Sequence, residues 1–165
     1  MNNSTSAVIW LHAVTLLVAL VGAGCASVRA TNSQADNPKY RAAIEQRLQE
    51  ICAAAESKDF ERLDSYHAYG PKFTKYSGTS AERRDATASR KGEHEGLAAL
   101  KGLTMRINEL KIDVFGDAAV ATFILDYSFD SGDETVSRKD RSTLVFIKQR
   151  GDWKITHEHL TPIQP

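Results

Sequence analysis

Cysteine is scarce in this chain: Cys25 and Cys52 are the only two in 165 residues. Two thiols cannot build a disulfide framework or a cysteine-rich zinc site. An excess of charge is missing as well, with 21 basic residues against 21 acidic ones and no basic run. That removes the electrostatic footing for a nucleic-acid partner. The first 25 residues contain no Lys, Arg, Asp or Glu at all. The apolar stretch within them, Ala7–Val21, carries His12 and Thr15 and is too short for a comfortable membrane-spanning helix. The length suits one domain with a proper core, not two.

What stands at the start instead has the order of an export signal. An apolar segment is followed by the small residues Gly22-Ala23-Gly24-Cys25-Ala26-Ser27, the pattern of a cleavable secretory peptide. Gly24-Cys25 resembles the end of a bacterial lipobox, so Cys25 is expected to be acylated. The mature protein would then be a periplasmic or outer-membrane lipoprotein, tethered through its lipid alone. Plain cleavage after Ala23 or Ala26 is the alternative. The expected division is a signal peptide over 1–25, a polar linker over 26–37 and a folded domain over 38–165. Cys52 falls inside a helical pattern and reads as a small buried hydrophobe.

Asn37-Pro38 is a helix start, with Asn37 as cap and Pro38 in the first turn. Tyr40, Ile44, Leu48, Ile51 and Ala55 follow at helical spacing and lay one stripe on a core. A shorter helix carrying Phe60, Leu63 and Tyr66 or His67 ends before Gly70-Pro71. Lys72–Tyr76 is a candidate strand, Ser77–Arg90 is polar and rich in breakers, and Glu93–Lys101 reads as a helix weakened by glycine. Beyond it the period changes to two. Gly116-Asp117, Gly132-Asp133 and Gly151-Asp152 separate β-rich runs, as two-residue hairpin turns do. Four strands in a meander behind the helices make an α+β domain. In the first of them Met105 and Ile107 alternate on one phase while Leu110, Ile112 and Val114 continue on the other. A β-bulge near Asn108-Glu109 would restore one apolar face and bend the sheet. The next two segments are apolar on both faces in their central parts, around Ala119–Leu125 and Leu144–Ile147. Helices cover only one side, so the other is expected to meet a second copy in a homodimer.

The closing segment is Gly151-Asp152-Trp153-Lys154-Ile155-Thr156-His157-Glu158-His159-Leu160-Thr161. Regular alternation would put Trp153, Ile155, His157 and His159 on one face. Trp-Lys-Ile-x-His-x-His-x-Thr after a Gly-Asp turn resembles the last strand of SnoaL-like proteins in the nuclear transport factor 2-like superfamily. The resemblance extends back to Tyr40 and is strong through Phe115–Phe123. It implies a cone-like curved antiparallel sheet wrapped around N-terminal helices. It does not imply one chemistry, because the superfamily includes isomerases, dehydratases, cyclases and non-catalytic association modules.

Candidate site residues follow from the strand ends and the expected cone. His157 and His159 are candidates to line its rim. Asp126 and Tyr127 could act as base and oxyanion donor, although a two-residue turn at Gly132-Asp133 would place Asp126 opposite Lys139 as a surface pair. Tyr66 and Tyr69 lie where the family's pocket opens. No catalytic motif of the superfamily matches residue by residue, so the catalytic residues are left unassigned, and neither a metal nor a cofactor is expected. The reading is an exported small-molecule-binding or accessory protein for an apolar or amphipathic ligand. A small isomerase, dehydratase or hydrolase is the alternative, and a homo-oligomeric association module the second.

Overall fold

The computed structural model describes residues 37–164; the expected signal, Cys25 and the linker before Asn37 lie outside them. Helix α1 (Pro38–Ser57) starts where the sequence marks it. The Asn37 side chain accepts from the Lys39 N–H, and Pro38 occupies the first turn. Ile44, Leu48, Ala54 and Ala55 form its buried stripe. Lys58 ends it in the left-handed conformation, its N–H returning to the carbonyls of Ala54 and Ala55. Helix α2 (Phe60–Ser65) is capped by Asp59. Helix α3 (Ala86–Ala99) begins earlier than the expected Glu93, because Asp85 caps it by accepting from the Ala88 N–H. It passes through Gly92 and Gly96 without breaking. Among the described residues no helix is long and apolar enough to cross a membrane.

Strands β1 (Thr74–Ser77), β2 (Lys101–Phe115), β3 (Ala118–Ser131), β4 (Glu134–Gln149) and β5 (Asp152–Pro162) form one curved, unclosed sheet in the order β1-β5-β4-β3-β2. The meander β2–β5 is antiparallel as expected, but the edge strand β1 runs parallel to β5. The first two hairpins turn at Gly116-Asp117 and Gly132-Asp133. The third is shifted by one residue from the expected Gly-Asp pair. Gln149 pairs with Asp152, so the turn is Arg150-Gly151, both with positive φ.

The expected β2 bulge is present. Asn108 pairs with Ile124 and Lys111 with Thr122, so Glu109 and Leu110 together oppose Phe123. Glu109 takes a φ of +53° to make the jog. Ile112 and Val114 thereby reach the same buried face as Leu103. With Phe73, Ala119, Ala121, Phe123, Leu125, Leu144, Phe146, Trp153 and Ile155, Ile112 and Val114 close over Ile44 and Leu48 of α1 as the main core.

Candidate functional site

A second bulge controls where the polar side chains go. Phe146 pairs with Ile155, but the next pair is Val145 with His157, leaving Thr156 as the extra residue on β5. The alternation therefore slips after Ile155. Trp153 and Ile155 are buried, and the next side chain on their face is Glu158, 4% exposed. This corrects the expectation that Trp153, Ile155, His157 and His159 share a face. His157 and His159 stand on the outer face with Val145 and Thr143, their register partners. There His157 Nδ1 meets the Thr74 hydroxyl at 2.8 Å, His159 Nε2 meets that of Thr161 at 3.0 Å, and the Tyr76 ring lies against both imidazoles. Neither histidine lines the cavity under the sheet.

Glu158 is the centre of a buried ionic network. The parallel β1–β5 pairing sets Lys75 opposite Glu158, and Lys75 forms an ion pair with it and, at 3.6 Å, with Glu93 of α3. His67 arrives from the turn after α2. The backbone there is clamped beside β5 by Ala68 N–H to Ile155 C=O and Ile155 N–H to Tyr66 C=O, at 2.7 and 2.9 Å. His67 Nε2 lies 2.9 Å from Glu158 Oε1, and Nδ1 lies 2.9 Å from the Leu63 carbonyl. Tyr69 completes the group, donating its hydroxyl to Glu93 at 3.1 Å and stacking on the His67 ring with centroids 4.8 Å apart.

Hydrogen-bond accounting fixes the protonation of this network. A carbonyl only accepts, so His67 Nδ1 carries a proton; an ionised Glu158 only accepts, so Nε2 carries one too. Burial opposes charge on every member, and the partners outweigh it. Burial alone would raise the Glu158 carboxyl, but the charge of Lys75 and the hydrogen bond from His67 hold it down at about 2. Burial likewise works against cationic His67 and Lys75. The bond and charge of Glu158 raise the former, and the charges of Glu158 and Glu93 raise the latter. Burial, then the charge of Glu93, pushes the Tyr69 hydroxyl up, so it stays a donor. Two cations thus face two carboxylates. His67, Glu93 and Glu158 present ligand atoms within 4.8 Å of one another, a spacing a metal ion can use. Lys75 already puts its ammonium between the two carboxylates, so a divalent ion would have to displace it.

A cavity of about 320 Å³ lies above the network, between α3 and the sheet. Its apolar wall includes Leu97, Leu100, Leu103, Leu125 and Leu160; Lys75 and Glu93 stand at its polar end. Gly96 contributes bare backbone, since a Cβ placed there meets nothing within 4 Å. A larger open cleft of about 1140 Å³ runs past the ends of β2–β4 and includes Asp126, Tyr127 and Lys139.

The other candidates divide by face. Asp126 opposes Lys139 in the β3–β4 register, with the carboxylate 3.4 Å from the ammonium. Tyr127 reaches both the cleft and the cavity. Tyr66 is buried away from either, beneath Arg47, which sits 4.5 Å from the ring centroid. Tyr69 joins the network. Glu158, Lys75 and Glu93 escaped sequence reasoning, and His67 entered it only as a helix-end residue. One signal was available: Leu160 has the parity of Glu158, not of Ile155, the same phase change that marks the β2 bulge.

The family model for the SnoaL-like domain matches residues 44–164. Three solved structures share the fold. A protein named as a dehydratase of the nuclear transport factor 2-like family, from Streptomyces avermitilis, superposes with a TM-score of 0.70 at 17% identity, covering 78% of this chain and all of that one. A nuclear transport factor 2-like superfamily protein from Salmonella enterica serovar Typhimurium gives 0.68 at 16% identity, covering 78% and 94%. A protein from Xanthomonas campestris, named for a calcium/calmodulin-dependent protein kinase II association domain, gives 0.63 at 18% identity, covering 78% and 89%. No curated protein sequence matches the chain. At these identities the structures speak for the fold alone. The family match covers most of the chain, which belongs to the SnoaL-like domain family.

Proposed function

We propose, from this membership of the SnoaL-like family, that the protein is an exported, lipid-anchored binding protein that holds a small apolar or amphipathic molecule between α3 and the curved sheet. The observation that carries the reading is the cavity of about 320 Å³, walled by leucines and ended by Lys75 and Glu93. Its size and its mostly apolar lining with a few convergent polar groups are those of a small-molecule site. The buried groups best placed for proton transfer are engaged with one another. His67 is bonded at both ring nitrogens, and Glu158 is shared between His67 and Lys75. A base that must hold two cations in place is poorly disposed to accept a proton, which favours binding over isomerisation, dehydration or hydrolysis.

Gly96 offers a direct test. Gly96→Phe should add a ring at the cavity wall and remove no core contact, because no atom lies within 4 Å of the new Cβ. Ligand co-purifying with the native protein, identified by mass spectrometry, should be absent from the variant. Affinity for that ligand should fall at least tenfold while the unfolding midpoint holds. Unchanged ligand content would reject this cavity as the site.

Export and anchoring rest on the apolar segment ahead of Gly24-Cys25. The mature chain should begin at Cys25 and carry acyl mass when extracted from membranes. A water-soluble product beginning at Ser27 would refute the anchor.

A further inference from the structure

Four polar side chains that line the cavity take no part in the ionic network: Ser77, Arg84, Tyr127 and Asp140. Of these, Tyr127 lies on β3 and Asp140 on β4. In the β3–β4 register Asp140 opposes Leu125 and Tyr127 opposes Arg138, so the two are diagonal neighbours on the inner face, within mutual reach of one small group. Asp140 Oδ1 is buried and has no hydrogen-bond partner among the described residues. Burial raises this carboxyl, and no neighbouring cation offsets it. The Tyr127 ring stacks with Phe129, 6.5 Å between centroids, and its hydroxyl has no hydrogen-bond partner among the described residues. Burial, then the charge of Asp140, pushes that hydroxyl up, so it keeps its proton.

A buried polar group needs a partner; Asp140 Oδ1 lacks one, and the half-buried Tyr127 beside it offers the opposite chemistry. The tyrosine proton requires an acceptor; the carboxylate requires a donor. We propose that the ligand of this cavity is an apolar alcohol whose hydroxyl bridges the pair, accepting from Tyr127 and donating to Asp140. An ammonium would serve Asp140 and leave the tyrosine proton unused. A ketone would serve Tyr127 alone, and a carboxylate seated at this pair would meet Asp140 as a like charge and be drawn instead to Arg84 on the same lining. The leucine wall takes the hydrocarbon body, and a cavity of about 320 Å³ limits it to a compact one. This inference rests on the cavity being the binding site and adds which chemical group the ligand carries.

The test uses the purified protein with four probes on one scaffold: 2-naphthylmethanol, its isostere 2-ethylnaphthalene, 2-naphthylmethylamine and 2-naphthoate, followed by calorimetry. The alcohol should bind at least tenfold tighter than the hydrocarbon and tighter than either charged probe. Tyr127→Phe, which removes one oxygen, and Asp140→Leu should each erase most of that margin and leave hydrocarbon affinity within threefold. Equal binding of alcohol and hydrocarbon would overturn the alcohol assignment and leave the cavity as a site. Tighter binding of the amine would overturn it in favour of a cation. A margin that survives in both variants would place the hydroxyl elsewhere. If no probe binds the unaltered protein at millimolar concentration, the cavity reading fails and the alcohol with it.

Discussion

Glu158 shows how much one residue can carry when it is buried at the crossing of three elements. It holds His67 from the α2 turn and Lys75 from β1, and through Lys75 it is coupled to Glu93 of α3. Removing one partner from a buried ion pair leaves an uncompensated charge, at a cost of about 3–5 kcal/mol. Glu158→Gln should destabilise the fold by that order in urea unfolding at neutral pH. Lys75→Met combined with Glu158→Gln should cost less than the sum of the single changes, since the second change removes a charge the first has orphaned. The pH dependence follows from the directions of the shifts. Glu158 is held at about 2 against an ordinary 4.5, so its contribution is present above 4.5 and lost as pH falls from there toward 2. His67 is raised above 6.5, so its contribution is full below 6.5 and lost as pH rises through its folded value. Stability should therefore fall on both sides of a weakly acid optimum. A denaturation midpoint that stays flat between pH 3 and 6 would contradict the depressed Glu158.

At the scale of elements, the bulges at Glu109 and Thr156 do different work. The β2 bulge keeps the apolar phase facing inward by placing Glu109 at a φ of +53°. That conformation costs an ordinary L-residue about 1–2 kcal/mol. Glu109→Gly should be neutral or stabilising by up to about 1 kcal/mol, and Glu109→Val should destabilise by more than that, both read from thermal unfolding. Equal midpoints for Gly and Val would argue against a left-handed residue here. The β5 bulge at Thr156 instead moves a carboxylate inward and two histidines outward. Helix α3 is the other element that sequence patterns undersold. Only Ser89 is buried on it, so it has no apolar stripe to reveal it; the Asp85 cap marks its start.

At the scale of the whole molecule, the sheet has an outer face that the helices among the described residues leave uncovered. Val120 pairs with Val145 and Ala118 with Ile147 on that side, while Phe146 is wholly buried within the core. We expect this face to join a second copy. Val145→Asp should then give monomers or aggregates in light scattering, whereas Phe146→Asp should prevent folding. A stable monomer of the unaltered domain at micromolar concentration would reject the dimer.

Hydrophobic periodicity and turn chemistry are local, and they sufficed for the α+β class, the start of α1, the antiparallel meander and the β2 bulge. Each depends on residues a few positions apart. The same phase change, from Ile155 to Leu160, was written into β5, but two histidines between them offered a simpler alternation. Which of His157, Glu158 and His159 faces inward was decided by pairing with β4 and β1. Glu158 can be buried because Lys75 and His67, 83 and 91 positions away in the chain, arrive to neutralise it. No pattern along the chain records that meeting. Charged residues far apart in sequence read as solvated surface until the fold takes them out of water together.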